Sequence, residues 1–169
     1  AYHPTLAAQL VGYKFEHEDI HQAFADMYGV DYKKAKELTF KQLYGGVFED
    51  YKELEFFKRV EKYIDDISSK EEHVCKSGYV FKTDMKKQKL FNYILQNTET
   101  YYNVLILEEI IHLLKHCKTK IIHYTYDSFL LDVDKSEKYV VLSILAIFKK
   151  YGFSTKVEAG LNYGSLERV

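Results

Sequence analysis

The sequence predicts an α+β fold in which a helical lobe is followed by an antiparallel sheet with a long buried helix. Up to about residue 70, apolar residues recur at helical spacing, and Pro4 is the only proline. After Glu72 the pattern changes to short apolar runs bounded by turn residues, which is typical of strands. We therefore expect two lobes, residues 1–70 and residues 71–169.

Capping residues mark the helices of the first lobe. Asp19 is placed to begin a helix that ends before Gly29, because Asp accepts backbone N–H groups and Gly tolerates left-handed backbone. Asp31 is placed in the same way to begin a second helix, which the glycine pair 45–46 ends. A third helical stretch with an aromatic stripe is predicted over Val47–Ser69.

The second lobe alternates strand and helix patterns. The predicted elements are a hairpin over His73–Cys75 and Tyr79–Phe81, a long helix from Met85 to His116, strands over Lys120–Thr125 and Phe129–Val133, a helix capped by Ser136 that continues to Lys150, and a last strand over Thr155–Leu161.

The amino-acid composition excludes several classes of protein. The 24 Lys and Arg residues nearly balance the 25 Asp and Glu residues, so the net charge of −1 does not by itself point to a polyanionic partner. Two cysteines are too few for a disulfide framework, and no apolar run is long enough to span a membrane. These features predict a cytoplasmic protein with no membrane partner.

Asp127 is the acidic residue best placed for metal chemistry. It lies between the two apolar runs 120–125 and 129–133, at the tip of the hairpin that they are expected to form. Mg²⁺ sites are built from one or two such carboxylates together with substrate phosphates and water. The alternative is an ordinary turn residue, because Asp side chains also bond the backbone of turns.

Lys36, Phe40 and Tyr44 are spaced four residues apart and share one helix face, with Lys33 on the same side. A cation next to aromatic rings suits a nucleotide, because the lysine meets phosphate and the rings meet the base. The alternative is an aromatic core stripe flanked by lysines.

Asn92 and Gln96 share a face near the start of the long helix. Their amides could donate to the minor-groove acceptors that every base pair presents. The alternative is a pair of exposed amides on an ordinary helix.

The order of these motifs resembles that of A-family DNA polymerases of the bacterial repair and phage replicative type. Lys36–Gly45 resembles the fingers-helix motif, and Asp19–Val30 resembles the segment that precedes it. Asn92–Thr98 resembles the palm motif with Asn and Gln four residues apart. Tyr126–Ser128 lies where the family has His-Asp-Glu, and Val157–Tyr163 resembles its closing strand.

The resemblance implies a nucleotide site on the fingers helix. Lys36 would contact the triphosphate and assist catalysis by protonating the leaving pyrophosphate. Lys33, or else Lys34, would be a second phosphate ligand in place of the family's Arg. Phe40 and Tyr44 would pack near the nascent base pair, with Tyr44 at the stacking position.

It also implies contacts with DNA and metal. Asn92 and Gln96 would face the minor groove of the template–primer duplex, and Tyr126 would lie near the primer end. Asp127 would be the catalytic metal ligand of a two-metal Mg²⁺ site, which transfers a nucleotidyl group from dNTP to the primer 3′-OH.

Three departures from the family pattern modify this expectation. Tyr32 takes the place of a phosphate-binding Arg, and Ser128 takes the place of a carboxylate. The strand with the second metal-binding Asp would lie upstream of His3. We therefore expect a C-terminal fingers-plus-palm fragment that is inactive alone, depends on the rest of the polymerase chain and could dimerise. The location implied is the cytoplasm of a bacterium or a phage-infected host.

The alternative is a non-catalytic nucleic-acid-binding or interaction module that is derived from the same polymerase lobe. Tyr32 and Ser128 both favour it, because each replaces a charged group of the family's site.

Overall fold

The structure is a computed structural model that describes residues 2–126 and 128–169. The described residues contain α-helices and two-stranded antiparallel sheets, which confirms the predicted α+β fold. In chain order the elements are α1 (Tyr2–Val11), α2 (Ile20–Tyr28), α3 (Tyr32–Gly45), α4 (Glu55–Ser68), β1 (Glu72–Val74), β2 (Val80–Lys82), α5 (Lys87–Leu114), β3 (Lys120–Thr125), β4 (Ser128–Asp132), α6 (Tyr139–Lys150), β5 (Glu158–Ala159) and β6 (Glu167–Arg168).

The chain packs as two compact units. The first contains the described residues up to Leu105, and the second runs from Ile106 to Val169. Helix α5 begins in the first unit and ends in the second. The predicted lobes 1–70 and 71–169 were drawn from a change of sequence pattern, not from packing, and they stay a prediction.

The core of the first unit contains a cluster of aromatic rings. Phe24, Phe56 and Phe57 are fully buried, and the ring of Phe56 lies 5.2 Å from that of Phe24 and 5.0 Å from that of Phe57. Edge-to-face pairs at these distances add to the free energy gained from burying apolar surface. This cluster joins α2 to α4 and supports α3, which packs against α2.

The predicted caps of α2 and α3 are confirmed. The Asp19 carboxylate accepts the backbone N–H of His21 at 2.9 Å, and Gly29 ends α2 with a φ of +66°. The Asp31 carboxylate accepts the backbone N–H of Lys34 at 3.0 Å and so begins α3. Each helix therefore begins and ends where its sequence requires.

The third helical stretch differs from its prediction. A single turn of 3₁₀ helix at 49–51 comes first, and α4 begins only at Glu55. The turn places the ring of Tyr51 4.6 Å from that of Tyr28. The contact between these two rings is made by tertiary packing. It accompanies the delayed start of α4, which the local sequence does not indicate.

The β1–β2 hairpin and the start of α5 enclose a second core cluster of the first unit. Ile67, Cys75, Leu90 and Ile94 are buried together. The predicted hairpin is present and turns at Gly78, whose φ of +83° lies in the left-handed region that favours glycine. The predicted long helix is present as α5, in which buried positions alternate with exposed ones along its length.

The second unit contains the predicted β3–β4 hairpin. Lys120 pairs with Asp132 and Thr125 with Ser128, and a register shift follows Ile121. Both predicted strands are present, the second shifted by one residue. The predicted sheet takes the form of three separate two-stranded sheets among the described residues, because each hairpin pairs only within itself.

Two predictions near the end of the chain are corrected. Asp134, not Ser136, is the cap: its carboxylate accepts the Ser136 N–H at 2.8 Å and begins a 3₁₀ turn before α6. The predicted strand over 155–161 is reduced to β5, which pairs with β6. In the described part of the chain, none of the helices combines the length and the apolar character that a membrane span requires.

Candidate functional site

An open groove of about 560 Å³ runs along the exposed side of α3 in the first unit. All four residues predicted from the sequence to bind a nucleotide line it. The lining residues are Lys33, Lys36, Glu37, Phe40, Lys41 and Tyr44. The helical spacing therefore places these side chains on one surface, as predicted.

The opposite side of α3 is held by a buried hydrogen-bond network. The hydroxyl groups of Tyr28 and Thr39 lie 3.0 Å apart, and the Gln42 amide donates to the Tyr28 hydroxyl at 3.2 Å. Gln42 also accepts the backbone N–H of Phe48 at 3.1 Å. Burial raises the pKa of Tyr28, so this phenol stays protonated. The network determines which face of α3 is exposed.

The groove carries an excess of positive charge. Lys41 pairs with Glu37 at 2.6 Å. The hydrogen bond from Lys41, followed by its charge, holds the pKa of Glu37 below its ordinary value, so the carboxylate is ionised. In contrast, no salt bridge of the described residues involves Lys33 or Lys36. These two cations remain available to an anionic ligand.

Two aromatic rings form the apolar part of the groove. Phe40 and Tyr44 are stacked, with their centroids 5.9 Å apart and their planes inclined by 13°. Tyr44 is 36% exposed, and its side chain contacts His3 on α1. Lysine and stacked rings side by side can bind a phosphate and a planar ring together.

Tyr44 is held from two directions. Its hydroxyl is hydrogen-bonded to Nδ1 of His3, and the His3 ring meets the Tyr44 ring edge-on at 5.7 Å. Its backbone carbonyl accepts the Asn92 amide at 3.2 Å. Burial, and then the negative charge of Glu99, raises the pKa of Tyr44, which keeps its hydroxyl protonated.

His3 and Glu99 are the residues of this site that the sequence reasoning did not identify. Nε2 of His3 lies 2.8 Å from a carboxylate oxygen of Glu99 on α5. His3 and Glu99 lie 41 and 55 residues from Tyr44 along the chain, so no local motif joins them. Only the packing of α1, α3 and α5 brings the three together.

Asn92 and Gln96 lie one turn apart on α5, as predicted. The Asn92 amide nitrogen is used by the carbonyl of Tyr44, and its Oδ1 is a buried atom for which the described residues provide no hydrogen-bond partner. Gln96 is exposed. The structure therefore gives Asn92 a contact with the end of α3, next to the groove.

Tyr32 provides no cation at the start of α3. Its hydroxyl donates to the Asp19 carboxylate at 3.3 Å. Burial raises the pKa of Asp19, but the N–H groups of Gln22 and His21 and the Tyr32 hydroxyl outweigh it and leave the pKa below its ordinary value. Asp19 is thus ionised and well bonded, as suits the cap of α2.

The β3–β4 turn belongs to the second unit. Tyr126 has a φ of +50° and is 80% exposed. Asp127, the predicted metal ligand, lies outside the described residues. The Ser128 hydroxyl donates to the carbonyl of Thr125 at 3.0 Å. The hairpin predicted from the sequence is present, and the metal-binding and turn interpretations of Asp127 both stay predictions.

A site that holds two Mg²⁺ ions requires several carboxylates close together. Residues 2–126 and 128–169 include no group of three or more His, Cys, Asp or Glu side chains that could hold a metal ion. The described residues alone do not fit a two-metal site, so no step is assigned to a metal ion in them.

No protein-family model and no curated protein matches this chain. What supports an assignment is therefore the geometry of the α3 groove and the order of the sequence motifs.

Proposed function

We propose that this chain forms the fingers-and-palm part of a template-directed DNA polymerase, whose complete form transfers a nucleotidyl group from dNTP to a primer 3′-OH. The observation that supports the proposal is the groove on α3. It combines Lys33 and Lys36, which no salt bridge of the described residues occupies, with the stacked rings of Phe40 and Tyr44. These are the residues that the polymerase resemblance assigns to the incoming nucleotide.

A nucleoside triphosphate suits this groove. Lys33 and Lys36 lie one helical turn apart, so their ammonium groups can contact neighbouring phosphates of one chain. Phe40 and Tyr44 follow along the same face and offer aromatic rings on which a base can stack. A hydrogen bond from a charged donor contributes about 1.5–3 kcal/mol, so loss of one lysine weakens binding by at least about tenfold.

In this proposal DNA is the second partner. Asn92 lies against the end of α3, and Gln96 is exposed one turn further along α5. This pair faces the minor groove of the template–primer duplex, and Tyr126 contacts the primer end. Asp127 is one Mg²⁺ ligand, and the remaining ligands come from the rest of the polymerase chain. In this proposal the chain by itself does not extend a primer.

One observation favours a second function, a non-catalytic nucleic-acid-binding module. At the start of α3 the Tyr32 hydroxyl bonds Asp19, where a polymerase of this family would offer an Arg to phosphate. Such a module binds duplex DNA and performs no chemistry.

The first experiment measures the affinity of the full chain for dNTPs by fluorescence polarisation of a labelled analogue. We expect Lys36→Ala to weaken binding about tenfold. Lys34→Ala is the matched control, because Lys34 is exposed on the same helix and does not line the groove. Equal losses in the two variants would count against the groove as the nucleotide site.

The second experiment separates the two functions. Mg²⁺-dependent primer extension is measured for the complete polymerase and for its Asp127→Ala variant, together with the salt dependence of duplex binding. We expect Asp127→Ala to abolish extension and leave duplex affinity nearly unchanged. Affinity should fall steeply with salt, since lysine–phosphate contacts release counterions. Duplex binding without extension by the complete protein would favour the non-catalytic module.

A further inference from the structure

Tyr44 is the end point of a hydrogen-bonded chain that joins three helices of the first unit. Glu99 on α5 bonds Nε2 of His3 on α1, and Nδ1 of His3 bonds the Tyr44 hydroxyl on α3. The side chains of His3 and Glu99 are only 15% and 19% exposed, so water competes little for these bonds.

The carboxylate determines how the histidine bonds Tyr44. A carboxylate only accepts hydrogen bonds, so Nε2 of His3 donates to Glu99. In the neutral imidazole the other nitrogen then has a free lone pair, and Nδ1 accepts the O–H of Tyr44. Glu99 therefore selects the histidine tautomer that can hold the tyrosine hydroxyl.

The position of His3 is itself constrained. Its neighbour Tyr2 donates to the side chain of Asn103 at 2.6 Å, one turn along α5 from Glu99. Two successive residues of α1 are thus bound to two successive turns of α5. The imidazole has little freedom to follow Tyr44 if that ring moves.

We infer that His3 and Glu99 are positioning residues that fix the ring of Tyr44 at the end of the nucleotide groove. The inference rests on the proposed function, because it assigns the effect to nucleotide binding. Tyr44 presents the aromatic wall that continues from Phe40, and without its hydroxyl bond the ring can rotate out of the stacked arrangement. His3 and Glu99 do not line the groove, so they act through Tyr44.

A double-mutant cycle tests this inference in the full chain, with dATP affinity as the measurement. We expect His3→Ala and Tyr44→Phe each to weaken binding about three- to tenfold. In the Tyr44→Phe background, His3→Ala should add no further loss, because the bond that it removes is already absent. His112→Ala is the control, since His112 is an exposed histidine on α5 and lies outside the groove.

Two conservative variants separate positioning from general structural support. Asn places a polar atom near the location of Nδ1, so His3→Asn should restore part of the affinity that His3→Ala loses. Gln reaches the location of Nε2, so His3→Gln should keep the contact with Glu99 and leave the affinity low. A residue needed only for folding would not distinguish these two amides.

The possible results distinguish failure of the inference from failure of the proposed function. Additive losses in the cycle, or a His3→Ala variant that binds dATP as tightly as the wild type, would overturn the inference while the nucleotide groove stands. Wild-type protein that binds no dATP, or a Tyr44→Ala variant that binds as the wild type does, would overturn the proposed function and the inference with it.

Discussion

Tyr44 on α3 and Tyr126 at the β3–β4 turn were both predicted as site residues, but different kinds of structure hold them. Tyr44 is 36% exposed and is bonded by residues from α1 and α5. Tyr126 is 80% exposed and lies in a turn whose strands are neighbours in sequence. Tyr44 can therefore be disturbed by substitutions far away in the chain, whereas the backbone at Tyr126 is set by a hairpin between neighbouring strands.

The two units also differ in how they bury aromatic residues. In the first unit Phe56 makes ring contacts with Tyr13, Phe15, Phe24 and Phe57. In the second, the buried ring of Phe148 contacts that of Phe129 at 5.4 Å. The dense aromatic cluster of the first unit supports α3. Truncating one ring in each unit should therefore lower the free energy of unfolding by different amounts.

The largest effect is expected from Phe56→Ala. Because Phe56 is fully buried among other rings, its truncation should lower the free energy of unfolding by about 3–5 kcal/mol. Phe148→Ala should cost less, since its ring has fewer aromatic neighbours and is slightly exposed. Urea denaturation followed by circular dichroism compares the two. Equal losses would mean that the two units are packed equally well.

Gln42→Leu should have the next largest effect. It preserves volume but removes the bonds to the Tyr28 hydroxyl and to the backbone N–H of Phe48. The Tyr28 hydroxyl keeps its bond to Thr39, but the Phe48 N–H loses its partner. An unpaired buried group costs about 1–3 kcal/mol, and we expect a loss of about 2 kcal/mol overall. Lys41→Leu, on the exposed side of the same helix, is the control. A neutral Gln42→Leu would show that the network does not stabilise α3.

Removal of the α3 cap should have a smaller effect. Asp31→Ala leaves the N–H of Lys34 without its carboxylate and should cost about 1 kcal/mol in thermal unfolding. Asp31→Asn should retain most of the stability, because Asn is an equally good cap. If Asn proves as damaging as Ala, then the carboxylate has a role other than capping.

The smallest effect is expected from acid titration of the second unit. The N–H groups of Thr119 and Lys118 donate to Glu137 and hold its pKa below the ordinary value of 4.5. A carboxyl whose pKa is lowered on folding stabilises the protein above its unfolded pKa, and this stabilisation is lost as the pH falls through the folded pKa.

We therefore expect the stability of the wild type to decline below about pH 4.5, and the Glu137→Gln variant to decline less. Melting temperatures of both proteins between pH 7 and pH 3 measure the difference. Parallel declines would exclude a contribution from Glu137.

Local signals in the sequence were sufficient for much of the fold. Asp19, Gly29 and Asp31 mark helix ends because capping depends on residues within one turn. Gly78 marks a hairpin for the same reason. The helical period also placed Lys36, Phe40 and Tyr44 on one face, since that spacing is a property of the helix alone.

The remainder depends on contacts that no local pattern encodes. The late start of α4 accompanies the packing of Tyr51 on Tyr28, and α6 begins after a turn capped by Asp134. In the site, His3 and Glu99 meet Tyr44 only because three helices pack together. A single sequence gives the faces of helices but not which distant residues will meet there.

The network around Gln42 also limits rotation of α3 about its own axis. A rotation by one residue, about 100°, would turn Lys36 and Phe40 away from the groove. The same rotation would withdraw Gln42 from Tyr28 and Phe48 and bring a different side chain inward. The rotation of α3 about its axis thus decides which of its faces is exposed, and the buried Gln42 amide fixes that rotation.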